Sequence, residues 1–412
     1  MTTPTPRGPL HLRSGPRVPE MGPVPVLPAH ALEEEPLPST SRVATFPAAP
    51  EVRVGARVGV VRGFHPGWFG AVMGTAIVGV AAYLNPGAYA SLTRAAHGVG
   101  LAFVALAWAM AVVIALPYLA RFARHPDAAL ADLRHPVVGP LYGTFPGAIL
   151  VLATATATVG SSLLPTDAVV LIVAVLAAAG SLITFVGGVV FTYVLFSSEG
   201  LATDAANGGW FIPPVANIVI PLPLLALLPH VSASSARLLL LAGYAGLGTG
   251  LLLFLLVAGT LFGRLVHHPL PPAPLAPSLW IGLGPIGVGT LAILRLAAGG
   301  APYWGPGAAA VESLSSIAAA VLWGFGLWWL ATAAALLVRY LKRGRLPYGV
   351  GLWAFTFPLG AYTVATLQLA RSWGDHSLEW GAVALLVVLA GFWVTVSAST
   401  LGALRGGRVW QR

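Results

Sequence analysis

Few side chains in this 412-residue chain are equipped for chemistry. It has no cysteine, which removes thiolate nucleophiles, thiolate metal sites and disulfides. His267 and His268 sit side by side in a proline-rich loop with no third ligand near them in sequence, so they do not read as a metal site. Gly282-x-Gly-x-x-Gly287 copies the letters of a dinucleotide-binding turn. No strand leads into it, however, and no acidic residue follows at the required distance. Neither a nucleophile paired with a base nor a metal cluster emerges, so the sequence reads as neither an enzyme nor a cofactor protein. What remains is hydroxyls, and aromatic rings beside prolines. Thr144, Thr154, Thr158 and Thr356 are donors suited to a small anion, and Thr154 and Thr158 share a helix face at a spacing of four. The same hydroxyls can instead bond back to their own helix, and the sequence leaves both readings open. Phe145, Phe211 and Phe357 each sit beside a proline break. An aromatic ring in a narrow pore stops ions by bulk and by dewetting, which makes the three candidate gates. Packing between helices is the other reading, and it is preferred for Phe145 and Phe211.

The elements that carry these residues must be lipid-embedded. The chain is 57% hydrophobic and only 8% charged, with a mean hydropathy of +0.83. Soluble domains carry about 25% charged residues. From Trp68 onward, ten runs contain no Asp, Glu, Lys or Arg: 68–84, 95–120, 139–163, 168–196, 209–228, 238–263, 278–294, 313–338, 349–370 and 380–404. Each is near the roughly 20 residues that cross about 30 Å of hydrocarbon as a helix. They do not alternate as barrel strands do. Fourteen Lys and Arg fall on one side of these ten spans and four (Arg94, Arg237, Arg295, Arg371) on the other. That asymmetry predicts both termini in the cytoplasm, and a multi-pass protein of the cell membrane. It also accounts for the net charge of +9 without nucleic acid, because the basic residues lie between apolar runs. Twelve of the 35 prolines fall in the first fifty residues, with no apolar periodicity. Residues 1–63 therefore read as a disordered, proline-rich cytoplasmic tail, 64–404 as the transmembrane domain, and 405–412 as a short basic tail.

Proline and glycine are concentrated in the odd-numbered spans. Span three contains Thr144-Phe-Pro146 and span nine Thr356-Phe-Pro358; span five contains Pro213 and Pro214, and span seven Gly284, Pro285 and Gly287. The even spans are rich in Leu, Val and Ala. A proline inside a helix frees a carbonyl, which lipid does not tolerate unless the helix is buried in protein or lines a watery cavity. The odd helices are therefore expected inside and the even ones against lipid. The resulting fold class is all-α and polytopic, with ten transmembrane helices as five helical hairpins around a central pore. Thr144, Pro146, Thr154, Thr158, Pro213, Pro214, Gly284, Pro285, Gly287, Thr356 and Pro358 are its expected lining. The charge-free runs show no buried carboxylate for proton coupling and no arginine clamp. Arg295 and Glu312 stand at span edges.

Three motifs extend the reading: His65-Pro-Gly-Trp-Phe-Gly-Ala-Val-Met-Gly-Thr75, Gly209-Trp-Phe-Ile-Pro-Pro-Val215 and Trp353-Ala-Phe-Thr-Phe-Pro358. Together they resemble the tellurite-resistance/dicarboxylate transporter family, which includes bacterial tellurite-resistance proteins, fungal malate permeases and sulfite exporters, and plant slow anion channels. The resemblance runs from about residue 65 to 404. It implies a pore lined by the odd helices, a homotrimer, and a phenylalanine on the ninth helix that plugs the pore, here Phe357. The expected partners are the lipid bilayer and a small anion such as a dicarboxylate, sulfite, chloride or nitrate. The expected activity is transport of that anion, with a proton-coupled C4-dicarboxylate or sulfite carrier as the alternative.

Overall fold

The computed structural model describes residues 59–198, 200–344 and 346–407. Most of the expected N-terminal tail, and residues 408–412 of the basic end, lie outside the described residues. Ten helices are long and apolar enough to cross a membrane. They are α1 (Pro66–Tyr83), α2 (Thr93–Arg124), α3 (Gly139–Ser162), α4 (Thr166–Ser197), α5 (Gly208–His230), α6 (Ala233–His267), α7 (Ala273–Tyr303), α8 (Gly305–Arg343), α9 (Val350–Trp373) and α10 (His376–Arg405). No strand occurs among the described residues.

The helices form two concentric layers. In the inner layer α1 packs against α3, α3 against α5, α5 against α7, α7 against α9, and α9 against α1, so the five odd helices close a ring. Each even helix covers a seam of that ring. Thus α2 lies on α1 and α3, α4 on α3 and α5, α6 on α5 and α7, α8 on α7 and α9, and α10 on α9 and α1. Burial follows the layers. Over the most apolar stretch of each helix, 67–83% of residues are buried in the odd helices and 17–39% in the even ones. The outer faces are aliphatic, with Leu116, Leu182, Leu256, Val321 and Val387 exposed, as acyl chains require.

The prolines act differently from the sequence expectation. Each odd span opens with a 3-10 turn, and its α-helical segment then begins at Phe69, Thr144, Ile212, Leu283 or Phe357. Pro146, Pro213, Pro214, Pro285 and Pro358 all fall within the first three residues of such a segment. The first four N–H groups of a helix have no partner within it, so proline loses nothing there. These prolines start helices inside the membrane domain rather than break them. Only α5 is interrupted mid-span, where Ile212–Val219 gives way to Pro221–Leu227.

The charge-free spans also need correction. Arg121 lies in the last turn of α2, Arg295 within α7, and Glu312 and Arg339 within α8. Runs cut at the first charge had excluded them by definition. Close packing of the ring depends on glycine. A Cβ on Gly287 would stand 2.5 Å from the Tyr362 nitrogen of α9, and one on Gly74 would collide with the Thr356 hydroxyl.

Candidate functional site

Residues at the start of every inner helix enclose one cavity of about 340 Å³. Its wall takes Gly70 and Met73 from α1, Leu141 and Thr144 from α3, Ile212 and Val215 from α5, Ser278 and Ile281 from α7, and Trp353, Phe357 and Pro358 from α9. Gly63 and His65, which lead into α1, lie at its mouth. Met73, Val215, Ile281 and Phe357 are apolar members of its wall. Phe357 is buried. Its ring faces the ring axis, because a Cβ on Gly284 of α7 would stand 3.9 Å from Phe357 Cε1 and 3.3 Å from Val215 Cγ2 of α5.

Among the described residues, no Asp, Glu, Lys or Arg lines this cavity. Its electrostatics come from the backbone. Five α-helical segments begin around it, each behind a 3-10 turn whose carbonyls take its leading N–H groups, so they turn the positive ends of their dipoles toward the cavity.

The structure sorts the sequence candidates. Phe357, Pro358 and Thr144 line the cavity. Phe145 packs instead against Phe69 and Tyr118, with ring centroids 5.0 and 4.9 Å away. Phe211 packs against Phe254 of α6 and Trp329 of α8, at 5.4 and 5.6 Å. Both rings sit between the two layers and away from the cavity, which is the packing arrangement. Pro146, Pro213, Pro214 and Pro285 are buried at helix starts, and Gly287 seals α7 against α9. The four threonine hydroxyls donate to backbone carbonyls. Thr154 bonds Leu150 O at 2.9 Å, Thr158 bonds Thr154 O at 2.8 Å, and Thr356 bonds Trp353 O at 2.8 Å. Thr144 lies 2.7 Å from Leu141 O and 2.9 Å from Pro66 O, which ties the mouths of α1 and α3 together.

Sequence reasoning did not single out Met73, Val215 or Ile281. The first two were visible as members of the quoted motifs; Ile281 carried no signal. Nor did the sequence mark Arg121, one of the fourteen basic residues on the crowded side of the spans, as different from the rest. Arg121 is in fact buried, bonding Phe64 O and Tyr142 Oη at 2.9 Å each and Asp132 Oδ2 at 2.7 Å. It fixes the segments that lead into α1 and α3. His268 bonds Thr203 at 3.1 Å, and no cluster of three metal-ligating side chains occurs among the described residues.

Comparison with known proteins agrees with this architecture. The profile of the voltage-dependent anion channel (SLAC1) family matches residues 63–401. An uncharacterised transporter of Methanocaldococcus jannaschii is 31% identical over 357 residues, covering 86% of this chain and 98% of its own. The sulfite efflux pump SSU1 of Arthroderma otae is 25% identical over 361 residues, covering 83% of this chain and 91% of its own. The SSU1 of Trichophyton rubrum is 25% identical over 366 residues, with the same coverage. The chain belongs to the voltage-dependent anion channel family, whose members are transporters and channels rather than enzymes.

Proposed function

We propose that this member of the anion-channel family carries small anions through the centre of its inner ring, and that the Phe357 side chain closes the path. The supporting observation is the cavity that all five inner helices build and that Phe357 helps to line. An anion drawn to the helix N-termini would meet dipoles, apolar walls and a few uncharged polar groups, and weak binding of this kind allows rapid passage. Sulfite heads the candidate anions, supported by the names of the fungal relatives, followed by dicarboxylate, chloride and nitrate. The cavity mouth would face the cytoplasm, supported by the fourteen-to-four excess of basic residues on the side where α1 begins. Assembly as a homotrimer in the cell membrane belongs to the same proposal and rests on the family resemblance. The alternative, a proton-coupled dicarboxylate or sulfite carrier, would use the same path; His65, which lines the cavity, accepts the Gly67 N–H at Nδ1.

Anion flux into proteoliposomes tests the proposal. Phe357→Ala is expected to raise flux on the order of tenfold or more, as for a barrier lowered by at least roughly 1.4 kcal/mol. Flux unchanged from wild type, with equal protein incorporated, contradicts the gate. Flux that follows an imposed pH gradient selects the carrier reading.

A further inference from the structure

The far half of the ring holds a charge that nothing above uses. The contacts of α7 define its faces. Gly284 points at the axis, beside Val215 and Phe357. Gly287 abuts Tyr362 of α9, while a Cβ on Gly299 would stand 2.8 Å from Leu225 of α5. Gly289 looks outward, where a Cβ would stand 3.0 Å from Leu322 of α8, and Leu296 packs on Gly243 of α6. At about 100° per residue, a position eleven residues beyond Gly284 returns to within about 20° of the axis-facing line. That position is Arg295. It lies about 16 Å past Phe357 and is exposed, although Leu294 and Leu296 on either side of it are buried.

The same spacing picks out two neighbours. Gln368 is eleven residues beyond Phe357 on α9. Thr158 is eleven beyond Gly147 on α3, and a Cβ on Gly147 would stand 3.3 Å from Met73 Cε and 3.7 Å from Ala216 Cβ. Thr158, Arg295 and Gln368 therefore share one level and face one axis. Nearby, Arg371 is paired with Glu379 at 3.6 Å and bonds Leu84 O at 2.7 Å. Arg295 makes no hydrogen bond or ion pair among the described residues. A cation without a partner on the inner face of a membrane domain calls for an anion.

We propose that Arg295, with the Gln368 amide beside it, is an anion-binding station on the far side of the Phe357 closure, and that its preferred ligand is a small oxyanion. The guanidinium fork presents two parallel N–H donors, which match two oxygens of one oxyanion but have no such match in a halide. The station rests on the axial path proposed above, yet it can be tested apart from conduction.

The full chain in detergent is titrated with sodium nitrate or sodium chloride at fixed ionic strength, and thermal stability is followed. Nitrate is expected to stabilise wild type at lower concentration than chloride does. Arg295→Gln is expected to raise the half-effective nitrate concentration on the order of tenfold, the weight of one charge-assisted hydrogen bond. Arg295→Lys keeps the charge without the fork, so it is expected to lose the preference for nitrate while still responding to both salts. Arg237, on the same side but stacked on Tyr303 away from the axis, is the control, and Arg237→Gln should behave as wild type. The proposal is overturned if Arg295→Gln and Arg237→Gln give the same nitrate response as wild type, or if wild type does not distinguish nitrate from chloride. In a Phe357→Ala background the station should also set nitrate-to-chloride permeability. Absence of conduction there, with nitrate binding still dependent on Arg295, would count against the path and not against the station.

Discussion

Three phenylalanines beside prolines are indistinguishable as letters, and contact geometry separates them. Phe357 faces a shared axis, whereas Phe145 and Phe211 each meet aromatic rings of the outer layer. Phe211→Ala should therefore leave anion flux at the wild-type level and lower thermal stability, by about 3–5 kcal/mol for a fully buried ring. Flux rising as it does for Phe357→Ala would show that Phe211 blocks the path after all. The threonines show a limit of reading residues one at a time. Donors were legible in the sequence, but their acceptors are carbonyls three or four residues back, which are supplied only once the helix forms. Arg121 was harder still. A charge in a short loop and a charge in the last buried turn of a helix look alike until Tyr142 and Asp132 close around it.

At the scale of elements, the number and order of the helices were legible because lipid imposes a length and forbids charge. The ends were not. Spans trimmed at each charged residue came out short where Arg295, Glu312 and Arg339 continue the helix. Proline position was legible too, and its meaning was not. A proline reads as a kink in a chain assumed helical throughout, but here a 3-10 turn precedes each inner α-segment, so the proline sits in a first turn. Pro285→Ala is expected to be nearly neutral, within about 1 kcal/mol, because a first-turn proline removes no bond from the α-helical ladder of its segment. Val364→Pro, in the middle of the α9 segment, should cost about 3 kcal/mol or more. Equal losses of thermal stability from the two changes would contradict the helix-start reading.

For the whole molecule, the contrast between proline-bearing and aliphatic spans was enough to assign inner and outer layers, since each composition suits one solvent. Closure of the five inner helices, α9 back onto α1, had no local signal; it depends on contacts such as Gly360 against Ile77 across the length of the chain. That closure is what the proposed central path requires, and a chain without cysteine lets it be probed one site at a time. Leu291 is seven residues beyond Gly284, about 20° from the axis-facing line of α7 and two turns past the Phe357 ring. Leu291→Cys, placed in inside-out vesicles with a thiol scavenger sealed in the lumen, should resist a charged, membrane-impermeant maleimide supplied at the cavity mouth. With Phe357→Ala added, it should be labelled. Labelling with Phe357 intact, or no labelling once the ring is removed, would mean that Phe357 does not close a path along this axis.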